Sequence, residues 1–143
     1  MRAVMRRRAS IVLIALAAAS ALAACGSEGN SVKDSNAGIE HGSQLFAERC
    51  AGCHTLDVAG AQGGATKVRD RERTDGPNFN VRKECVANVL YAIRNGGYSG
   101  AIMPENIVVG KDAEDVAAFL AKYSGLQAKT SPGATPIVCT GSA

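Results

Sequence analysis

Cys50-Ala51-Gly52-Cys53-His54 concentrates more potential chemistry than any other stretch of this chain. Two thiols three positions apart, followed directly by an imidazole, form the Cys-x-x-Cys-His pattern of covalent haem attachment. Each thiol can add to one haem vinyl group to form a thioether, and the adjacent imidazole then lies under the iron as an axial ligand. A thiol redox pair or a zinc site is the other chemistry open to two such cysteines. Zinc wants further Cys or His ligands at a second short spacing. Here only His41, Cys85 and Cys139 remain, scattered singly.

The N-terminus supplies a compartment for that chemistry. Arg2, Arg6, Arg7 and Arg8 precede an apolar run over residues 11–24, with small residues at its exit. A charged start and a short apolar core read as a secretory signal, and the run falls short of the roughly 20 residues that span a bilayer. Leu22-Ala23-Ala24-Cys25-Gly26 resembles the lipobox of bacterial lipoproteins, in which the cysteine is acylated and becomes the first mature residue. Residues 1–24 are therefore expected to be a lipoprotein signal peptide and Cys25 a lipidation site, with two or three acyl chains giving firm anchoring. Residues 25–37 are small and polar apart from Val32 and read as a flexible tether with a reach of about 20 Å.

Charge and cysteine usage agree with an extracytoplasmic protein. The formal charge of +3 comes from 16 basic and 13 acidic side chains, but four of the basic ones lie in the signal. The mature chain is near neutral, so composition gives no support to nucleic-acid binding. With Cys25 assigned to lipid and Cys50 and Cys53 to haem, Cys85 and Cys139 are left as an even pair in an oxidising compartment. A disulfide between them is expected.

The elements that must hold the motif follow from hydrophobic spacing. Gly42, Leu45 and Phe46 lie at i, i+3 and i+4 of a helix that begins near residues 36–38 and runs into Cys50. Residues 55–75 read as irregular; within them the mixed-charge run 67–73 argues for a solvated loop. Gly76-Pro77-Asn78-Phe79 follows. Val86, Val89, Leu90 and Ile93 mark a second helix, closed by Asn95-Gly96-Gly97. A loop then leads to Ala101-Ile102-Met103-Pro104, and Met103 is the only methionine outside the signal. The spacing of Val116, Phe119, Leu120 and Tyr123 predicts a last helix over roughly residues 111–123. Its N-terminal end carries Asp112, Glu114 and Asp115, and Lys122 lies at its C-terminal end.

The order Gly42-x3-Phe46-x3-Cys50-x2-Cys53-His54, then Gly76-Pro77, Met103-Pro104 and the last helix, resembles the class I cytochromes c. The likeness covers roughly residues 38–125. It implies an all-α class I cytochrome c fold whose N- and C-terminal helices cross, with Gly42 and Phe46 meeting Leu120 and Tyr123. Residues 38–125 are then the cytochrome c domain, residues 126–143 an irregular C-terminal tail, and residues 55–75 an insertion. The resemblance also implies one covalent haem c held by Cys50 and Cys53, with His54 and Met103 as iron ligands and the Pro77 carbonyl orienting His54. The mature chain lacks tryptophan, so any propionate contact the family makes with that residue type falls to others, with Tyr91, Tyr98 and Arg94 the candidates. His41 lies nine residues before Cys50 on the same helix and reads as a surface residue rather than a distal ligand.

Iron held on both sides by His54 and Met103 leaves no position open for oxygen or peroxide. The soft thioether ligand favours ferrous iron. The expectation is a one-electron carrier, not an enzyme, in monomeric form and lipid-anchored on the outer face of the cell membrane or the periplasmic side. It would exchange electrons with redox proteins such as an oxidase, a quinol-oxidising complex or a periplasmic dehydrogenase. If Met103 does not ligate, a five-coordinate haem enzyme of peroxidase type or a gas sensor is the alternative.

Overall fold

A computed structural model describes residues 29–98, 100–129 and 137–139 of the chain; the signal segment and Cys25 lie outside them. Three helices carry the fold: α1 (Ala37–Arg49), α2 (Val86–Asn95) and α3 (Gly110–Tyr123). Between α1 and α2 lie a small antiparallel hairpin, β1 (Thr55–Leu56) with β2 (Ala61–Gln62), and short 3-10 turns at Asp57–Ala59 and Val68–Asp70.

Helix α1 starts at Asn36, whose side chain accepts hydrogen bonds from the N–H groups of Gly38 at 2.9 Å and Ile39 at 3.4 Å. This cap satisfies two of the donors that a helix start leaves orphaned. The helix then crosses α3 at very short range. A Cβ on Gly42 would overlap the Asp115 carbonyl, so only glycine lets the two backbones touch there. One turn later Phe46, fully buried, meets the equally buried Phe119 at 5.7 Å between ring centroids.

This junction differs in detail from the one the family resemblance implies. Gly42 abuts Asp115 and Val116, and the aromatic partner of Phe46 is Phe119. Leu120 is buried beside them, while the Tyr123 ring lies against Phe119 and its hydroxyl turns away to Asp34. The reason is helical phase: Asp115 and Phe119 lie four residues apart and share the face that α1 covers.

Crossing at Asp115 buries a carboxylate, and the fold supplies its partners. Lys111, one turn earlier on α3, donates to one oxygen, and Nδ1 of His41 lies 3.0 Å from the other. Burial alone would push the Asp115 carboxyl up, yet Lys111 and His41 hold it below its ordinary value. His41 keeps 46% of its side chain exposed and spends its ring nitrogen on Asp115, as a surface residue.

Two segments differ from the sequence reading. Residues 29–36, expected within a flexible tether, form a strap laid against the domain. Val32 is buried, Ser31 donates its backbone N–H to the Val58 carbonyl, and Asn30 donates to the Ser43 hydroxyl. The single large apolar side chain of the segment supplies the anchor. Residues 55–75, expected as irregular, open with the β hairpin, and Thr55, Leu56, Ala59 and Ala61 from it are buried in the core. The solvated character holds for the charged stretch, where residues 69–74 are exposed.

Helix α2 buries Val89 and Ile93 and ends on Gly96 in the left-handed conformation. At its other end Cys85 is joined to Cys139 by a disulfide, which ties residues 137–139 of the tail to the start of α2. No helix among the described residues is long and apolar enough to cross a membrane.

The crossing predicts that Gly42→Ala destabilises the haem-loaded protein by about 1–3 kcal/mol, the usual cost of overpacking. Denaturant unfolding would measure it, and a neutral substitution would refute the close approach. The strap gives a pH-dependent prediction. Asp34 accepts from Lys122 at 2.6 Å, the Asn36 N–H at 3.0 Å and the Tyr123 hydroxyl at 2.9 Å. These contacts lower its pKa to about 2 from an ordinary value of 3.8. A carboxyl depressed on folding contributes stability above its unfolded pKa and loses it as pH falls through the folded one. Asp34→Asn should therefore melt lower than wild type at pH 6, with the gap closing toward pH 2. A gap that is constant across that range would exclude the strap's carboxylate as its cause.

Candidate functional site

Helix α1 delivers the motif. Its last turn passes without a break into Cys50, whose N–H donates to the Phe46 carbonyl at 2.9 Å. The Cys50 carbonyl in turn accepts from the N–H groups of Cys53 at 3.1 Å and His54 at 3.0 Å. That turn brings the two thiols and the imidazole round one short arc. Cys50 is half-buried and Cys53 exposed, and neither is in a disulfide. Burial, and next the neighbouring Cys53, pushes the Cys50 thiol up to about 12, so it stays protonated at neutral pH.

The segment after the motif frames it from two sides. On one side the β hairpin returns. Thr55 donates its hydroxyl to the Gly64 carbonyl at 2.7 Å and accepts the Gly64 N–H at 2.9 Å, and Gly63 donates to the His54 carbonyl at 3.1 Å. On the other side the chain at residues 76–79 runs past the ring. Gly76 donates to the Cys53 carbonyl at 2.7 Å, and a Cβ on Gly76 would overlap the imidazole.

Pro77 sits next along, and Nδ1 of His54 lies 3.2 Å from its carbonyl oxygen. A carbonyl can only accept, so Nδ1 carries the proton and Nε2 keeps a free lone pair. Burial lowers the His54 pKa, the Pro77 bond opposes that, and the positive charge of Arg82 lowers it further. The net effect favours the neutral ring, the form that ligates a metal.

Met103 comes from a separate part of the chain. It is half-buried against the core, on the loop that follows α2, with its Cβ and Sδ beside Gly97. The loop is tied back where Asn106 donates its N–H to the Ile93 carbonyl at 2.7 Å. The structure thus gathers Cys50, Cys53, His54 and Pro77 into one cluster and brings Met103 to the same core on a separate loop. Among the described residues no three His, Cys, Asp or Glu side chains are grouped to hold a metal ion. Cys85 and Cys139, the spare ligands a zinc site would need, are consumed in their disulfide. Two free thiols and a neutral imidazole with its Nε2 lone pair unprotonated fit a covalently attached haem.

Phe79 is a neighbour of His54 to which the sequence alone assigns no role. The Phe79 ring is stacked on His54, with centroids 4.8 Å apart and planes 11° apart. Its position two residues after Pro77 was visible, but the bridge pairing Thr55 with Asn78, which sets it beside His54, has no local signature.

No curated protein matches the chain. Among solved structures it is similar to the c-type cytochrome SorU from Sinorhizobium meliloti. The two are 33% identical over 65% of this chain and 97% of that one, with a TM-score of 0.48. The family model for cytochrome c matches residues 39–124. This span runs from the first turn of α1 to the end of α3 and contains the whole cluster around His54. The chain belongs to the cytochrome c family, as a class I c-type cytochrome carrying one covalently bound haem c.

Proposed function

We propose that the protein is a membrane-tethered one-electron carrier in which Cys50 and Cys53 hold the haem as thioethers and His54 and Met103 are its axial ligands. The family supports haem-based electron transfer, and the observation that carries the finer reading is the His54–Pro77 hydrogen bond. When bound, haem c supplies a couple between ferric and ferrous iron that takes up or releases one electron.

The protein's own residues do the rest. The Pro77 carbonyl holds the Nδ1 proton, which fixes the tautomer and raises the basicity of Nε2. The chain at Gly76 passes so close to the ring that a Cβ there would overlap it. Met103 would offer a soft sulfur ligand that favours the reduced state, and the same two side chains would serve both oxidation states. Little needs to rearrange when an electron moves.

The surroundings are read in the same way. Cys25 is the lipidation site and residues 1–24 the signal peptide, so the domain works outside the cytoplasm, anchored to the membrane. Its partners are redox proteins that dock transiently, such as an oxidase, a quinol-oxidising complex or a periplasmic dehydrogenase.

The ligand set is tested by the ferric absorption spectrum. Wild type should show the weak sulfur-to-iron charge-transfer band in the far red, and Met103→Ala should lose it and lower the reduction potential. High-spin ferric features in wild type would instead favour the five-coordinate enzyme or sensor. Cys25→Ser should move the protein from the membrane fraction to the soluble one without altering the spectrum. Retention in the membrane would refute the lipid anchor.

A further inference from the structure

His54 is held by more than its hydrogen bond. The Phe79 ring lies almost parallel to the imidazole, 11° between planes and 4.8 Å between centroids. Phe79 is 7% exposed, and its ring also meets Phe46 edge-on at 6.0 Å. Phe46 lies 6.3 Å from the imidazole itself. The backbone of Phe79 is clamped at both ends. Its N–H donates to the Thr55 carbonyl at 2.8 Å, on the residue directly after His54. Its carbonyl accepts from the Gly125 N–H at 2.8 Å, just past the end of α3. The flanking residues reinforce the clamp. Asn80 accepts at its carbonyl from the Gln127 N–H at 2.8 Å, and the Glu84 N–H donates to the Ser124 hydroxyl at 2.9 Å.

We propose that Phe79 is a positioning residue for His54, a flat wall that fixes the plane of the imidazole and keeps water from one of its faces. A hydrogen bond through Nδ1 alone leaves the ring free to swing about that bond. The stacked aromatic removes this freedom, because rotation would drive the imidazole edge into the phenyl face. Its apolar bulk also lowers the local dielectric around the ligand, and the hydrophobic shell of a metal site bears on its redox potential. The clamp from Gly125 makes the wall depend on the end of α3, so the last helix reaches the ligand through Phe79. This inference rests on His54 being an axial ligand.

The test uses haem-loaded Phe79→Leu, which keeps an apolar side chain and removes the flat face. The expected result has two parts. The low-spin ferric electron paramagnetic resonance signal should shift and broaden, because the imidazole samples a range of planes. The reduction potential should fall, because water gains access and favours the ferric charge. Phe79→Tyr, which restores a flat ring, should return both readouts toward wild type. Phe119→Leu is the control: its ring contacts Phe46 and Tyr123, and it should lower the melting temperature without moving either readout.

A Phe79→Leu protein that is merely less stable, with wild-type resonance and potential, would overturn the proposal and leave His54 as ligand intact. A wild-type spectrum without histidine ligation would overturn both. Should Phe79→Leu not accumulate with haem, Phe79→Met offers similar volume. Failure of both while Phe119→Leu accumulates would mark Phe79 as a folding residue and overturn the proposal.

Discussion

The contact on which the rest of this protein depends is the near-touching of two helix backbones at Gly42 and Asp115. It brings Phe46 and Phe119 together as the centre of the core, and it aims the last turn of α1 so that Cys50 emerges at the edge of that core. The approach has an electrostatic cost, since it draws a carboxylate out of water. Lys111 meets that cost from the same helix and His41 from the facing one, so a polar contact spans the crossing as well as close packing. Pairing of this kind, with one partner on each helix, also opposes sliding of the two against each other.

Around that crossing the site is built mostly from chain without regular secondary structure. Residues 76–84 are neither helix nor sheet, yet most of their polar backbone contacts run to the motif and the residue after it or to the end of α3. Gly76 bonds to Cys53, Phe79 to Thr55 and Gly125, and Glu84 to Ser124. The disulfide between Cys85 and Cys139 closes the same region from the tail. A loop that satisfies its backbone groups in this way is as well determined as a strand.

Much of this was legible in the residues themselves. The three helices follow from apolar spacing at i, i+3 and i+4, and the ends of α1 and α2 from Asn36 and Gly96. The haem motif and the Gly-Pro after it can be read because their chemistry depends on neighbours in sequence. What escaped reading depends on neighbours in space. The hairpin at residues 55–62 has strands of two residues each, too short for any alternation to register. The stack of Phe79 on His54 and the choice of Phe119 as partner of Phe46 are set by helical phase and by a single bridge across 23 residues. The strap was misread because one buried Val32 outweighs a polar composition that suggests free chain.

That strap changes the geometry of tethering. Under the proposed lipidation of Cys25, docking of residues 29–36 on the domain leaves only residues 25–28 between the anchor and the strap. Four residue steps reach at most about 14 Å, against about 40 Å for the twelve steps from Cys25 to the start of α1. So anchored, the domain would stay close above the bilayer, with the Val58 and Ser43 side toward the anchor. On that proposal the strap would select partners by height: a docking site close to the membrane surface would be within reach, and one held well above it would not.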